Sequence, residues 1–211
     1  MNPAPTFDRV YVALKAHIAS GRFTPGDRLD FVALGEALQV SITPVRDALY
    51  RLMGEGLVVA GQPDGFAMPD MLEAELRDLY AWTRDLLLLA LRRAPPERTG
   101  WQRTDALPVA DPDEPAVTIA TLFTFIAKQA GNAEHLDAVR RANDRLGPVR
   151  SIEIGIVEDA AGDTSAIQAA IRSGSGAFIR SEIIAYHRKR LRAVRELILT
   201  LKRRGDASHR V

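Results

Sequence analysis

The stretch VSITPVRDALYRLMGEGLV, residues 40–58, decides how the first third of the chain is built. It reads as a helix with an entry, two faces and a stop. Pro44 falls in the first turn, where its missing N–H leaves no hydrogen bond unmade. Val45, Ala48, Leu49 and Leu52 recur at the spacing of one helix face and are expected to be buried. That turns Thr43, Arg46, Asp47 and Tyr50 outward, and Gly56 ends the helix.

Working outward, Phe7, Val10, Tyr11, Leu14 and Ile18 mark one stripe of a preceding helix, with Thr6 as its cap and Gly21 as its end. Pro25-Gly26 turns the chain, and Asp30 is a suitable N-cap for a short helix over 31–38, with Val32 or Ala33, Leu34 and Leu38 as its apolar positions. A break at Gln39–Ile42 leads into the quoted helix. Two short helices joined by about four residues, the second with an outward polar face, match a helix-turn-helix that enters the DNA major groove. After Gly56, LVVA reads as a strand, GQPDG as a turn and FAMP as the returning strand, so the hairpin is a wing. The plainer reading is a helical hairpin on a small sheet with a solvated polar face.

The spacing of SGRFTPGDRL and ALGEALQVSITPVRDALYRLMGEGLV resembles the N-terminal domain of GntR-type transcriptional regulators over residues 7–68: a Pro-Gly turn, a short helix, Thr43-Pro44-Val45-Arg46 and Glu55-Gly56-Leu57. The resemblance implies that Arg46 and the start of its helix approach base edges while Gly65 lies along the minor groove. An arginine can bridge guanine O6 and N7, and Ser41 and Thr43 at a helix N-terminus suit a phosphate. The expected DNA-contacting set is Arg28, Ser41, Thr43, Arg46, Tyr50, Arg51 and Gly65. Where the family usually carries arginines, before the Thr-Pro-Val-Arg and on the second helix, this chain has Ile42 and Val32. Both differences remove positive charge. They agree with a first segment, residues 1–69, of six basic and seven acidic side chains, where a nucleic-acid-binding domain usually has a basic surplus.

From residue 70 the pattern changes to long helices. DMLEAELRDLYAWTRDLLLLALRRA carries Leu72, Leu76, Leu79, Tyr80, Leu86, Leu87 and Ala90 at helical spacing. Residues 95–116, with five of the twelve prolines, read as an irregular loop pinned by Trp101. Helices are expected over 117–130, 133–146, 149–158, 164–173 and 176–203, with breaks at Gly131-Asn132, Gly147-Pro148 and Gly174–Gly176. The fold class is therefore mainly α: a winged helix-turn-helix over 1–69, then an all-α bundle over 70–211. IAKQAGNAEHL and AIQAAIRSGSGAFIRSEIIAYH resemble the helical effector-binding domain of the FadR-like branch. In many members of that branch an aspartate and three histidines hold a metal. Here Ile119, Phe123, Thr164 and Tyr186 stand at those positions, with His187 one residue off, so no metal and no cofactor is expected. The expected effector pocket is Trp82, Ile119, Phe123, Thr164 and Tyr186, an apolar interior with a few hydroxyls suited to an acyl chain, an aromatic or a lactone; the alternative is a filled core. His187 alone reads as a surface or hydrogen-bonded histidine. The basic run of residues 188–204 reads as a solvated helix face, or else a second phosphate-attracting surface.

No cysteine is present, no apolar run approaches the roughly 20 residues of a membrane span, and the N-terminus lacks the pattern of a signal peptide, so a cytoplasmic protein without membrane contact is expected. No motif of a metalloprotease, phosphate loop or nucleophile elbow occurs, and His17, His135, His187 and His209 are scattered, so an enzyme is not expected. The sequence points to a ligand-responsive regulator that binds a pseudo-palindromic site on double-stranded DNA as a homodimer, with a small-molecule effector in the helical domain. The alternative is a winged-helix protein-interaction module with degenerate DNA contacts and no effector.

Overall fold

The computed structural model describes residues 3–61, 65–93 and 114–208, with side chains from 6 to 205 within those ranges. Trp101, His209, the turn at 62–64 and nearly all of the proline-rich stretch lie outside the described residues.

The first unit runs α1 (Pro3–Ala19), β1 (Arg28–Leu29), α2 (Phe31–Leu38), α3 (Ile42–Gly54), β2 (Val59–Gly61) and β3 (Gly65–Ala67). Asp30 caps α2 by accepting hydrogen bonds from the Val32 and Ala33 N–H groups at 2.8 and 3.3 Å. Gln39 takes the left-handed conformation (φ 55°), which ends α2. The stop of α3 is a Schellman motif: Gly56 adopts φ 74°, its N–H bonds the Met53 carbonyl, and the Leu57 N–H bonds the Leu52 carbonyl, both at 3.0 Å. Two expectations need correction. Thr6 lies inside α1 rather than at its cap, because the helix starts at Pro3. The wing has a third strand, since Arg28–Leu29 pairs antiparallel with β3 to give the order β1-β3-β2. One core cluster gathers Val10, Leu14 and Ile18 of α1, Leu34 of α2, the predicted face of α3, and Phe66 and Met68 behind the wing.

The remainder is α4 (Glu73–Arg93), α5 (Pro115–Lys128), α6 (Ala133–Glu153), α7 (Ala160–Ser173) and α8 (Gly176–Ser208). The break expected at Gly147-Pro148 does not occur. Proline inside a helix costs roughly 3 kcal/mol, but α6 runs through it because Leu146, Gly147, Pro148, Val149 and Arg150 are all buried there, and packing outweighs the local signal. Two clusters fill the bundle: one around Leu122, Phe123, Ile126, Ile167, Ile183 and Tyr186, the other around Leu76, Tyr80, Leu146, Val149 and Leu197.

α6 is also the platform for the winged unit. Gly147 lets α1 come so close that an added Cβ would stand 2.6 Å from the Ala19 Cα. Lys15 of α1 bridges Asp144 of α6 at 2.7 Å and Glu55 at 3.0 Å, and the Tyr11 hydroxyl donates to Glu55 at 2.7 Å. Burial lifts Asp144 above the ordinary carboxylate range despite the ammonium beside it. Burial opposes the charge on Lys15 as well, but its hydrogen bonds to Asp144 and Glu55 prevail and raise its pKa.

Candidate functional site

Helix α3 presents Ser41, Ile42, Thr43, Arg46, Asp47 and Tyr50 to solvent. Ser41 is the N-cap residue in extended conformation, and its hydroxyl makes no capping bond, so it stands beside the first-turn N–H groups that have no partner within the helix. The Arg46 guanidinium lies 5.3 Å over the Phe31 ring, a cation–π contact that holds it at the junction of α2 and α3. Tyr50 sets its ring edge-on to Phe66 of the wing, with centroids 5.0 Å apart, and remains half exposed. Ser41, Thr43, Arg46 and Tyr50 thus come together on one outward face. Arg28 and Gly65 sit on the sheet against which Tyr50 leans, Arg28 exposed on the edge strand and Gly65 paired with Gly61. Arg51 is not part of that face. It turns back to α1, 4.0 Å over the Tyr11 ring and 3.5 Å from Glu55, because its position on the helix borders the buried stripe.

The expected apolar pocket is a packed interior. Ile119, Phe123 and Tyr186 belong to one core cluster, Thr164 is buried nearby, and Phe123 and Tyr186 meet edge-to-face at 5.2 Å. The void shared by Ile119 and Thr164 measures about 10 Å³, the size of one water. Trp82 is not brought to this interior, since it is 54% exposed on α4.

Charge fills the space. Arg190, 1% exposed, donates from Nε to Glu153 at 2.9 Å and from Nη1 to Asp163, with its plane 3.4 Å over the Tyr186 ring. Tyr80 donates to the other Glu153 oxygen at 2.6 Å, and Lys189 reaches Asp163 at 2.7 Å. Burial, reinforced by the Glu153 charge, raises the pKa of both Tyr80 and Tyr186, so each stays a protonated donor. Of the basic run, Arg190 is therefore an internal ion-pair partner and not part of a solvated face, and Lys189, partly exposed, pairs with Asp163 at the rim. The pattern of α8 carries a signal for this: buried Ile179, Ile183, Tyr186, Val194 and Leu197 put position 190 on the inward stripe.

His187 is fully buried, not a surface residue. Its Nδ1–H donates to the Ile183 carbonyl at 2.7 Å and its ring stacks on Phe123. Burial pushes its pKa down to about 3. A histidine depressed in the folded state is protonated first in the unfolded chain, so stability is full above the ordinary value near 6.5 and falls as pH drops from there towards the folded value. Between about pH 7.5 and about pH 5 this single group should remove about 2 kcal/mol from the unfolding free energy. Urea titrations at the two pH values check it, and His187→Gln should flatten the difference.

Residues 6–68 match the family model described as "Bacterial regulatory proteins, gntR family". This part of the chain is a GntR-family helix-turn-helix domain. The chain is 31% identical over 78 residues to the uncharacterised HTH-type transcriptional regulator YdhC of Bacillus subtilis, and 33% identical over 81 residues to the HTH-type transcriptional regulator McbR of Escherichia coli. These alignments span 37% and 38% of this chain and only 35% and 37% of the two relatives. The solved structure of E. coli McbR/YncC superposes with TM-score 0.63 at 17% identity, covering 93% of this chain and 98% of that one. A GntR-type structure from Rhodococcus sp. RHA1 superposes with TM-score 0.66 at 17% identity, covering 90% and 97%. The likeness extends the GntR fold through the helical part. The domain and its relatives are those of transcriptional regulators, not of enzymes.

The metal positions implied by the sequence resemblance fall in the bundle interior. Ile119, Phe123, Thr164 and Tyr186 supply neither imidazole nor carboxylate there, and His187 uses Nδ1 on its own helix. This donor set does not fit a metal. Among the described residues no helix is long and apolar enough to cross a membrane.

Proposed function

We propose that the chain is a ligand-responsive transcriptional regulator: residues 1–69 bind double-stranded DNA, and residues 70–211 take a small-molecule effector and pair two copies into a homodimer in the cytoplasm. The observation that carries this reading is the exposed Ser41, Thr43, Arg46 and Tyr50 face on the third helix of a GntR-family domain. Ser41 and Thr43 take phosphates at the helix N-terminus, and Arg46 reads a guanine with two hydrogen bonds. Two winged units, paired through their bundles, read two half-sites of a pseudo-palindrome. Trp82 and Leu89, exposed two turns apart on α4, give an apolar face for that pairing.

Selection of bound fragments from the host genome supplies the operator. On that operator Arg46→Ala should cost about 1–3 kcal/mol of discrimination between matched and mismatched half-sites. Lys15→Ala should leave discrimination unchanged, because Lys15 is engaged with Glu55 and Asp144. Equal discrimination by the Arg46 variant and the parent in a gel-shift competition would refute the role given to Arg46.

The interaction-module reading draws on one observation: Val32 and Ile42 are 43% and 42% exposed on the same side of the helix-turn-helix. Salt separates the two readings. A regulator loses affinity steeply as salt rises, whereas an interaction module shows no specific shift with any fragment.

A further inference from the structure

Val32 and Ile42 are large apolar side chains left open to solvent beside the face proposed to read DNA. One exposed aliphatic residue is ordinary on a protein surface. These two, however, wall a single open groove together with Gly35 and Ser41. Gly35 lets α2 and the turn into α3 pack without a side chain between them, since an added Cβ would stand 3.1 Å from the Val40 carbonyl oxygen. The Phe31 ring that carries Arg46 is the chain neighbour of Val32, so α2 holds the cation and the apolar pair in one arrangement.

Position decides which part of a duplex Ile42 meets. It is the first residue of α3, and Arg46 lies one turn further on; residues four apart stand on the same helix face. In a helix-turn-helix the first residues of the second helix reach base edges in the major groove, while the first helix crosses the backbone. Major-groove edges carry hydrogen-bond donors and acceptors and a single apolar group, the C5 methyl of thymine. An isoleucine side chain makes no hydrogen bond, so against any other edge it strips water from a polar group and returns nothing. Thymine is the base that it fits. We infer that Ile42, flanked by Val32, is a specificity-determining residue that reads a thymine methyl in each half-site. Four residues of helix rise about 6 Å and base pairs step about 3.4 Å, so this thymine lies within about two base pairs of the guanine read by Arg46. The inference rests on the proposal that α3 enters the major groove, and it adds a base that hydrogen bonding does not read.

Deoxyuridine tests it, because it differs from thymidine only in lacking that methyl. In gel-shift titrations of the full chain on the selected operator, each thymine near the guanine at which Arg46→Ala relaxes preference is replaced in turn, on either strand. One such replacement per half-site should weaken binding about fourfold, the value of burying one methyl-sized group, and the two half-sites together about fifteenfold. The other replacements should leave affinity unchanged. Ile42→Ala should bind the thymine and deoxyuridine operators equally and melt at the temperature of the parent, since the side chain is exposed. Ile42→Val, still apolar, should keep most of the preference. An operator with no thymine within that reach, or parent affinity unchanged by every replacement, refutes the inference, while discrimination that depends on Arg46 leaves the DNA reading standing. A deoxyuridine effect that persists undiminished in Ile42→Ala assigns the methyl to another residue or to duplex shape, and refutes it too. If the apolar pair docks a protein instead, Ile42→Ala changes no DNA affinity and the inference falls. A chain that shifts no fragment at all sinks the proposed function itself, and this inference with it.

Discussion

Replacing Arg190 with methionine is expected to lower the unfolding free energy by about 3–5 kcal/mol. The side chain is the hub of the bundle interior: Nε binds Glu153, Nη1 binds Asp163, and its plane lies on Tyr186. Methionine fills much of the volume but leaves Glu153 with the hydrogen bonds of Tyr80 and Tyr186 and without its cation. The cost comes from a stranded charge, not from a lost attraction, since a buried ion pair taken as a whole is near neutral against an apolar replacement. That distinction gives the experiment its control. Arg190→Met combined with Glu153→Gln should recover part of the loss, because a neutral amide can still bond Tyr80 and Tyr186. Urea unfolding of the parent and the two variants reads both effects, and a single-variant loss under about 1 kcal/mol would show that water or a neighbouring side chain already compensates Glu153.

The same cluster marks where the sequence stops being informative. Periodicity alone placed Val45, Ala48, Leu49 and Leu52 inside and Thr43, Arg46 and Tyr50 outside, because a helix face is a local property of spacing. Caps at Asp30 and Gly56 were legible for the same reason. The failures share one cause, which is that a tertiary partner decided the outcome. Pro148 reads as a helix break until α1 and the bundle bury its neighbours. β1 is two residues long and exists only as the partner of β3. Trp82 is expected in the effector pocket, yet it is exposed on α4. Arg190 reads as solvated because charged residues usually are, and Glu153 and Asp163, distant along the chain, make its burial tolerable. Arg51, adjacent to the outward-facing Tyr50, leans towards Tyr11 and Glu55 of the same unit while staying exposed.

Gly147→Ala should likewise act through a distant contact, and its sign separates that contact from local preference. Glycine inside a helix is less favourable than alanine by up to about 1 kcal/mol, so the substitution ought to stabilise α6 if nothing else mattered. Here the added Cβ would stand 2.6 Å from the Ala19 Cα and 2.9 Å from its carbonyl oxygen. These are backbone atoms, and no rotamer change moves them. α1 must therefore retreat from α6, which lengthens the 2.7 Å Lys15–Asp144 bridge and loosens the winged unit on the bundle. A net destabilisation of about 1–3 kcal/mol is expected, the range for inserting a methyl into a filled contact. Gly54→Ala is the control, since its Cβ meets nothing within 4 Å and it lies in α3 without a positive φ. It should be neutral or stabilising by up to about 1 kcal/mol. Calorimetry distinguishes the two mechanisms further: if the Gly147 contact couples the units, the variant melts in two steps, with the winged core around Val10, Leu49 and Phe66 released first. A variant that melts in one step and at a higher temperature than the parent would mean that α1 and α6 are not held together at Gly147.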